Sequence, residues 1–244
     1  MTQLKYSSVE DILKETLRCA PILQALADGK YDSLMHVGSS LRVRDKKSGY
    51  FRFVINHAED IRVLTKGISG FLHRLIVVDA DYEDSWRTIL PDAEYKHYKM
   101  SVVTTDTLLS LPQTKWPKDV CIVPMDRSWE ELVISLCADD EFTAESLRNQ
   151  IKENLSLGLV WEGKRAGFYS KHLNGEMGPF WITPGAHRRG FGTILKQEYL
   201  REFLKDNAIG FGLIDPDNAA IIKINESMGI QVLDKEILHI TVRK

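Results

Sequence analysis

A chain of 244 residues with a formal net charge of −2 at pH 7 and 43% hydrophobic residues is long enough for one large domain or two ordinary ones with real cores. It lacks the basic excess that a phosphate-backbone binder needs, so no nucleic-acid partner is expected. Its three cysteines, Cys19, Cys121 and Cys137, form no C-x-x-C pair, which points to a reducing compartment, expected to be the cytoplasm, and to no metal framework. No apolar run reaches the roughly 18 residues of a membrane span, so no membrane partner is expected. Glu10, Asp11 and Glu15 come early and no apolar core precedes them, so neither a secretory signal nor a transit peptide is expected.

The first expected element is a helix over Val9–Leu17. Tyr50–Asn56 (YFRFVIN) alternates and predicts a strand, and Ala58–Leu72 predicts a helix. Leu75–Asp79 (LIVVD) predicts a short buried strand, Ser85–Leu90 a short helix and Tyr95–Val103 another strand. Two prolines within Leu111–Lys118 (LPQTKWPK) punctuate the chain. The expected organisation is an α/β domain over residues 1–111, a linker over 112–119 and a second domain over 120–244. In the second, Val120–Pro124 reads as a strand. Ser128 with Glu131 three residues on has the pattern of a capping box, and Thr143 precedes a helix over Ser146–Asn154. Leu157–Trp161, Arg165–Ser170 and Gly175–Thr183 read as strands. They are separated by the turns Glu162-Gly163-Lys164 and Leu173-Asn174-Gly175, the latter holding a strong hairpin dipeptide. A helix is predicted over Gly192–Lys205, with Leu195, Tyr199 and Phe203 on one face. Phe211–Ile214 (strand), Ala219–Ser227 (helix) and Glu236–Val242 (strand) complete a mixed α/β fold with helices covering a sheet.

The chemistry concentrates in Gly175–Ile194 (GEMGPFWITPGAHRRGFGTI). A strand runs into a Gly-rich loop and then a helix, and such a loop aims backbone N–H groups and a helix dipole at an anion. Gly190 and Gly192 allow close backbone approach, and His187, Arg188 and Arg189 add positive or potentially positive groups. Read alone, a G-x-G with solvated arginines is a glycine-tolerant turn.

The surroundings of that turn resemble the GNAT superfamily of acyl-coenzyme A-dependent N-acyltransferases. Its signature, a fourth strand followed by [Q/R]-x-x-G-x-[G/A] at a helix start, is similar to His187-Arg188-Arg189-Gly190-Phe191-Gly192, with His187 where Gln or Arg is usual. A second signature, an Asn, a short helix, then Gly and an apolar residue, is similar to Asn218–Ile230 (NAAIIKINESMGI). Many members carry a Tyr seven residues after that Asn as acid for the departing thiolate; here the position is Asn225, which cannot serve so. Gly175-Glu176-Met177, then Pro184, then His187-Arg188-Arg189-Gly190 further resembles the glycine N-acyltransferase-like family, in which a poorly conserved α/β half precedes a GNAT half. The resemblance implies a GNAT fold in the C-terminal half behind a smaller, degenerate α/β half. It implies acyl-CoA as cosubstrate, with His187–Arg189, Gly190–Thr193 and Asn218 among the residues that bind it. It also implies Glu176 as general base, an amine or amino acid such as glycine as acceptor, and mitochondria as an alternative compartment.

Gly178-Pro179 inside the predicted strand argues for an edge, a splay or a bulge. In GNAT folds the pantetheine arm pairs with the backbone there, which falls to Phe180 and Ile182; on the residues alone a plain surface edge is equally supported. Glu176 falls on the face of Phe180 and Ile182 unless a bulge intervenes, and an acid there would have a raised pKa. An exposed hairpin acid is the competing reading, and for Asn218 it is a helix N-cap. Two functional rivals stay open: a GNAT enzyme for a polyamine, arylalkylamine or protein amine, and a catalytically silent CoA-binding protein.

Overall fold

The computed structural model describes residues 17–27, 29–68, 72–78, 80–111, 115–138, 141–153 and 156–243. The helix expected over Val9–Leu17 and the start of the linker, Pro112–Thr114, lie outside the described residues, apart from Leu17, which opens a 3₁₀ turn ending at Cys19. The elements are α1 (Ala20–Ala27), β1 (Tyr31–Val37), β2 (Ser40–Asp45), β3 (Phe51–Val54), α2 (Ala58–Leu64), β4 (Leu72–Val77), α3 (Glu83–Ile89), β5 (Glu94–Thr104), α4 (Thr105–Ser110), β6 (Val120–Pro124), α5 (Glu130–Cys137), α6 (Glu141–Glu153), β7 (Ser156–Trp161), β8 (Lys164–Lys171), β9 (Met177–Ile182), α7 (Phe191–Asp206), β10 (Ile209–Ile214), α8 (Ala219–Ser227), β11 (Gln231–Val232) and β12 (Ile237–Arg243). They form two compact units. One takes the chain up to Val102 with Leu213–Asn218 and Val232 onward; the other takes Val103–Gly212 and Ala219–Gln231.

In the first unit the strands run in the order β1-β2-β3-β4-β12-β5. The pairs are antiparallel except β3 with β4, which is parallel. One face of the sheet holds a core in which the Phe53 and Trp86 rings meet edge to face at 5.0 Å among Ile61, Leu64, Leu75, Leu238 and Ile240. On β3 the guanidinium of Arg52, 1% exposed, pairs with Asp45 at 3.2 Å, so this buried charge is compensated, as burial demands.

In the second unit β6, β7, β8 and β9 form an antiparallel sheet that ends on β9. Strand alternation divides its side chains between two cores. Phe168, with Trp129 and Val133 and with Leu147 and Ile151, lies toward α5 and α6. Leu159 and Tyr169 pack with Ile194, Leu195, Tyr199 and Phe203 of α7. Leu195, Tyr199 and Phe203 are 0%, 0% and 1% exposed, as a four-residue spacing on one helix face requires. The β7–β8 turn is Glu162-Gly163, both at positive φ (51° and 72°), the twist-matched two-residue hairpin.

Several elements depart from expectation. The helix from Ala58 stops at Leu64, with Thr65 closing it and Gly67 turning the backbone left-handed (φ +79); Leu72, expected as its end, opens β4 instead. The cap expected at Ser128 belongs to Asp126, whose carboxylate accepts the Ser128 N–H at 2.9 Å and the Ser128 hydroxyl, drawing Arg127–Trp129 into a 3₁₀ turn before α5. Thr143 lies within α6. The β1–β2 hairpin, α1, α4 and β11 gave no expectation: β1 is partly exposed and polar, and α1 carries a proline, Pro21, in its first turn, where its missing N–H costs nothing.

Glycine at 167 is set by contact. A Cβ there would stand 2.4 Å from Ile182 Cδ1 and 2.8 Å from the Trp181 carbonyl oxygen. Gly167→Ala is expected to lower stability by about 1–3 kcal/mol, the range of overpacking in a close-packed interior, measured by urea denaturation.

Candidate active site

The loop expected to hold an anion is built from one strand end and one helix start. Pro184–Ala186 makes a 3₁₀ turn with Ala186 buried, His187 to Gly190 are exposed, and Phe191 begins α7 from the core. Arg188 (φ 60°) and Gly190 (φ 78°) adopt the left-handed conformation, which glycine enters freely. Gly190 is the N-cap of α7, so no side chain caps it, and the first turn carries no acid. The helix dipole and the first N–H groups there therefore meet no acid from their own first turn and no side-chain cap. Gly192 lies close under its neighbours: a Cβ would come 3.3 Å from Phe180 Cζ and 3.2 Å from Ile224 Cδ1. Thr193 is half-buried in the same turn. The Arg189 guanidinium lies over the Trp161 ring, 4.5 Å from its centroid.

β9 is the edge of its sheet. The Thr183 N–H donates to the Ala166 carbonyl at 2.8 Å, so by alternation the backbone groups of Ile182 and Phe180 face away from β8. His187 folds back, with Nε2 2.9 Å from the Ile182 carbonyl oxygen.

At the head of β9 the alternation breaks. Tyr169 pairs with Phe180, but Lys171 pairs with Met177, which leaves one extra residue on β9 beside Gly178-Pro179, a β-bulge. Met177 therefore joins the same core as Phe180 and Ile182, and Glu176 stands just ahead of the strand, half-buried. The simple alternation that aligned Glu176 with Phe180 does not hold. A turn fixes the residue instead. The His172 N–H donates to the Glu176 carbonyl at 2.8 Å, the Glu176 N–H donates to Asn174 Oδ1 at 2.9 Å, and the Asn174 amide lies 3.4 Å from Glu176 Oε2. Gln150 Nε2 approaches His172 Nδ1 at 2.8 Å. Glu176 is also near enough to Tyr169 for its charge to add to the burial that raises the phenol pKa.

The exposed Asn218 precedes α8 in the other compact unit, and its N–H donates to the Asp215 carbonyl at 2.9 Å. Asn225 is fully buried, and among the described residues neither side-chain atom has a hydrogen-bond partner. Among the described residues no three His, Cys, Asp or Glu side chains are grouped to hold a metal ion, and no helix is long and apolar enough to cross a membrane.

Sequence reading passed over a second polar group. Lys196 is 3% exposed on α7, with its amine 5.5 Å from the centroid of the Tyr169 ring. Tyr169 stacks on Tyr199 at 4.0 Å and meets Phe180 edge to face at 5.1 Å; the Tyr199 hydroxyl is buried with no partner among the described residues. Burial alone lowers the Lys196 pKa to about 7; burial, then the charge of Tyr169, raises that of Tyr199. The available signal was a lysine on the buried stripe of a helix, four residues after Gly192 and three before Tyr199.

Comparison with solved structures follows the whole length of the chain. It is similar to an X-ray structure of a Drosophila protein (13% identity, TM-score 0.68, covering 98% of this chain and 97% of that one). It is also similar to a GCN5-related N-acetyltransferase from Kribbella flavida (11%, 0.59, 93% and 95%) and to a GCN5-related N-acetyltransferase-like protein from Streptococcus suis (10%, 0.51, 97% and 100%). At such identities the likeness is one of fold: the chain has the mixed α/β fold of the GCN5-related N-acetyltransferases. No protein-family model matches the chain, and no curated protein matches it.

The buried amine has a consequence for stability. The folded pKa, about 7, lies below the ordinary 10.5, so between these values the unfolded chain binds the extra proton. The cost to folding is full below about pH 7 and fades as pH rises toward 10.5. Lys196→Met is therefore expected to raise stability at pH 6, on the order of 3–5 kcal/mol, and to leave it nearly unchanged at strongly alkaline pH, measured by denaturation at both.

Proposed function

We propose that the chain is an acyl-CoA-dependent N-acyltransferase, acting by direct attack of a small primary amine on the thioester. One observation carries the reading: a sixteen-residue helix, α7, starts at a left-handed glycine with no side-chain cap and no acid in its first turn, at the end of the loop that leaves an edge strand whose backbone at Phe180 and Ile182 faces away from its sheet. The first feature suits a pyrophosphate, bound by the N–H groups of Phe191, Gly192 and Thr193, with Arg188 and Arg189 screening charge. The second suits an extended arm that hydrogen-bonds like an added strand. The GCN5-related fold of the chain supports the same chemistry.

In this mechanism Glu176 removes the proton from the amine as nitrogen attacks, directly or through water, and a strand N–H polarises the thioester carbonyl. The order Gly175-Glu176-Met177, Pro184, His187-Arg188-Arg189-Gly190 supports an amino acid such as glycine as acceptor, through its resemblance to the glycine N-acyltransferase-like family. Asn225, buried and without an ionisable proton at the position where many GNAT enzymes have tyrosine, favours the rival reading of a silent CoA-binding protein. Mass spectrometry after incubation with several acyl-CoAs and a mixture of amino acids, polyamines and arylalkylamines separates them. An acylated amino acid is expected; an acylated polyamine or arylalkylamine would replace the acceptor class, and no acylated product would favour the silent binder.

Gly190→Asp places a carboxylate where the pyrophosphate is expected, at a position with open space around a Cβ and a φ that Asp tolerates better than most residues. Calorimetric CoA affinity should fall at least ~tenfold in a variant with native circular dichroism. Glu176→Gln keeps size and hydrogen bonding but removes basicity. Turnover at neutral pH should fall ~10²–10⁴-fold, CoA affinity should hold, and activity should partly recover at alkaline pH, where more acceptor amine is free. Equal neutral turnover of the two proteins would remove Glu176 from this role.

A further inference from the structure

Acyl transfer leaves a thiolate that must gain a proton, and Asn225 cannot supply one. On the side of the second unit's sheet covered by α7 and α8, the buried ionisable side chains among the described residues are Tyr169, Tyr199 and Lys196. Burial holds the protons of both tyrosines more tightly than usual. Lys196 is the group able to give one up near neutrality.

Its placement fits the task. The amine lies over the ring of Tyr169, which pairs in register with Phe180 and touches its ring. Lys196 therefore reaches the level of β9 at which the outward backbone of Phe180 is proposed to take the pantetheine arm. Along α7 it stands five residues beyond Phe191, about 7–8 Å down the axis from the proposed phosphate site. Among the described residues its amine has no hydrogen bond or ion pair; its contact is the Tyr169 ring. A lone amine at 3% exposure is costly for a fold, and Met or Leu would pack there at less cost. The other groups around it leave it unpaired. Lys171 on β8 is directed to Asn207 Oδ1 at 3.2 Å and to the Phe203 ring. Glu198 on α7 is paired with Arg201, and Glu176 acts on Tyr169. Lys223 and Glu226 of α8 and Asp106 of α4 are exposed.

We propose that Lys196 is the proton donor to the sulfur of the departing coenzyme A, an assignment that rests on the acyltransferase reading. As the amine nitrogen bonds to the acyl carbon, its proton passes to the Glu176 carboxylate. The carbon–sulfur bond breaks with its electron pair on sulfur. The Lys196 ammonium gives sulfur a proton and becomes a neutral amine. Water then returns a proton to Lys196 and takes one from Glu176, so the net products are amide and thiol.

The test uses coenzyme A itself as probe. The thiol pKa of bound coenzyme A is measured from thiolate ultraviolet absorbance in the wild type, Lys196→Met and Lys196→Arg, with affinity from calorimetry and folding from circular dichroism. An adjacent ammonium favours the thiolate. In the wild type the forming thiolate should in turn hold the Lys196 ammonium, lowering the bound thiol pKa by about one or more, and Lys196→Met should abolish that effect while keeping affinity within about threefold. Lys196→Arg keeps the charge but cannot donate, so it should retain part of the thiol effect yet lose turnover by ~10²-fold or more. Lys196→Gln replaces Lys196→Met if the latter fails to fold. Tight binding with the same thiol pKa in all variants would overturn Lys196 and leave the CoA site standing. No binding of coenzyme A to the wild type would overturn the site and this assignment together.

Discussion

The seat of α7 on the sheet is the constraint on which the rest of the second unit depends. A sixteen-residue helix must bury an apolar stripe, and Phe191, Leu195, Tyr199 and Phe203 do so against β7 and β8. The close fit at Gly192, between Phe180 and Ile224, then fixes where the helix begins relative to β9. Because the helix starts from a left-handed glycine, its first N–H groups are left without a side-chain cap at the end of an edge strand. Packing, more than any one polar residue, sets the geometry that suits the turn to the proposed anion.

The edge strand shapes the second half of the candidate site through its irregularity. An unbroken β9 would run Glu176 along the sheet in simple alternation. The extra residue beside Gly178-Pro179 moves Met177 into the core and hands Glu176 to the turn closed by His172 and Asn174. Glu176 is thereby held by turn geometry at the head of the strand, half-buried.

How much of this the sequence disclosed depended on the kind of signal. The stripe Leu195, Tyr199, Phe203 and the turn at Glu162-Gly163 were legible, because periodicity and turn chemistry are local. The glycine loop before α7 was legible for the same reason. The β1–β2 hairpin was not, since a half-exposed polar strand carries little alternation. The bulge in β9 was foreseen as one of several readings of Gly178-Pro179, but its effect on Glu176 required the register with β8. Lys196 was missed because a lysine in a helix reads as surface. Its seat over the Tyr169 ring, itself stacked on Tyr199, makes its burial visible.

The central claim is that the start of α7 and the outer edge of β9 together receive acyl-CoA. Hydrogen exchange of backbone amides with and without coenzyme A tests this directly, because it reads binding without requiring the acceptor. The account predicts new protection at Phe180, Ile182 and Phe191–Thr193, with the β1–β4 strands unchanged. Protection confined to other segments, or none at saturating coenzyme A, would contradict it.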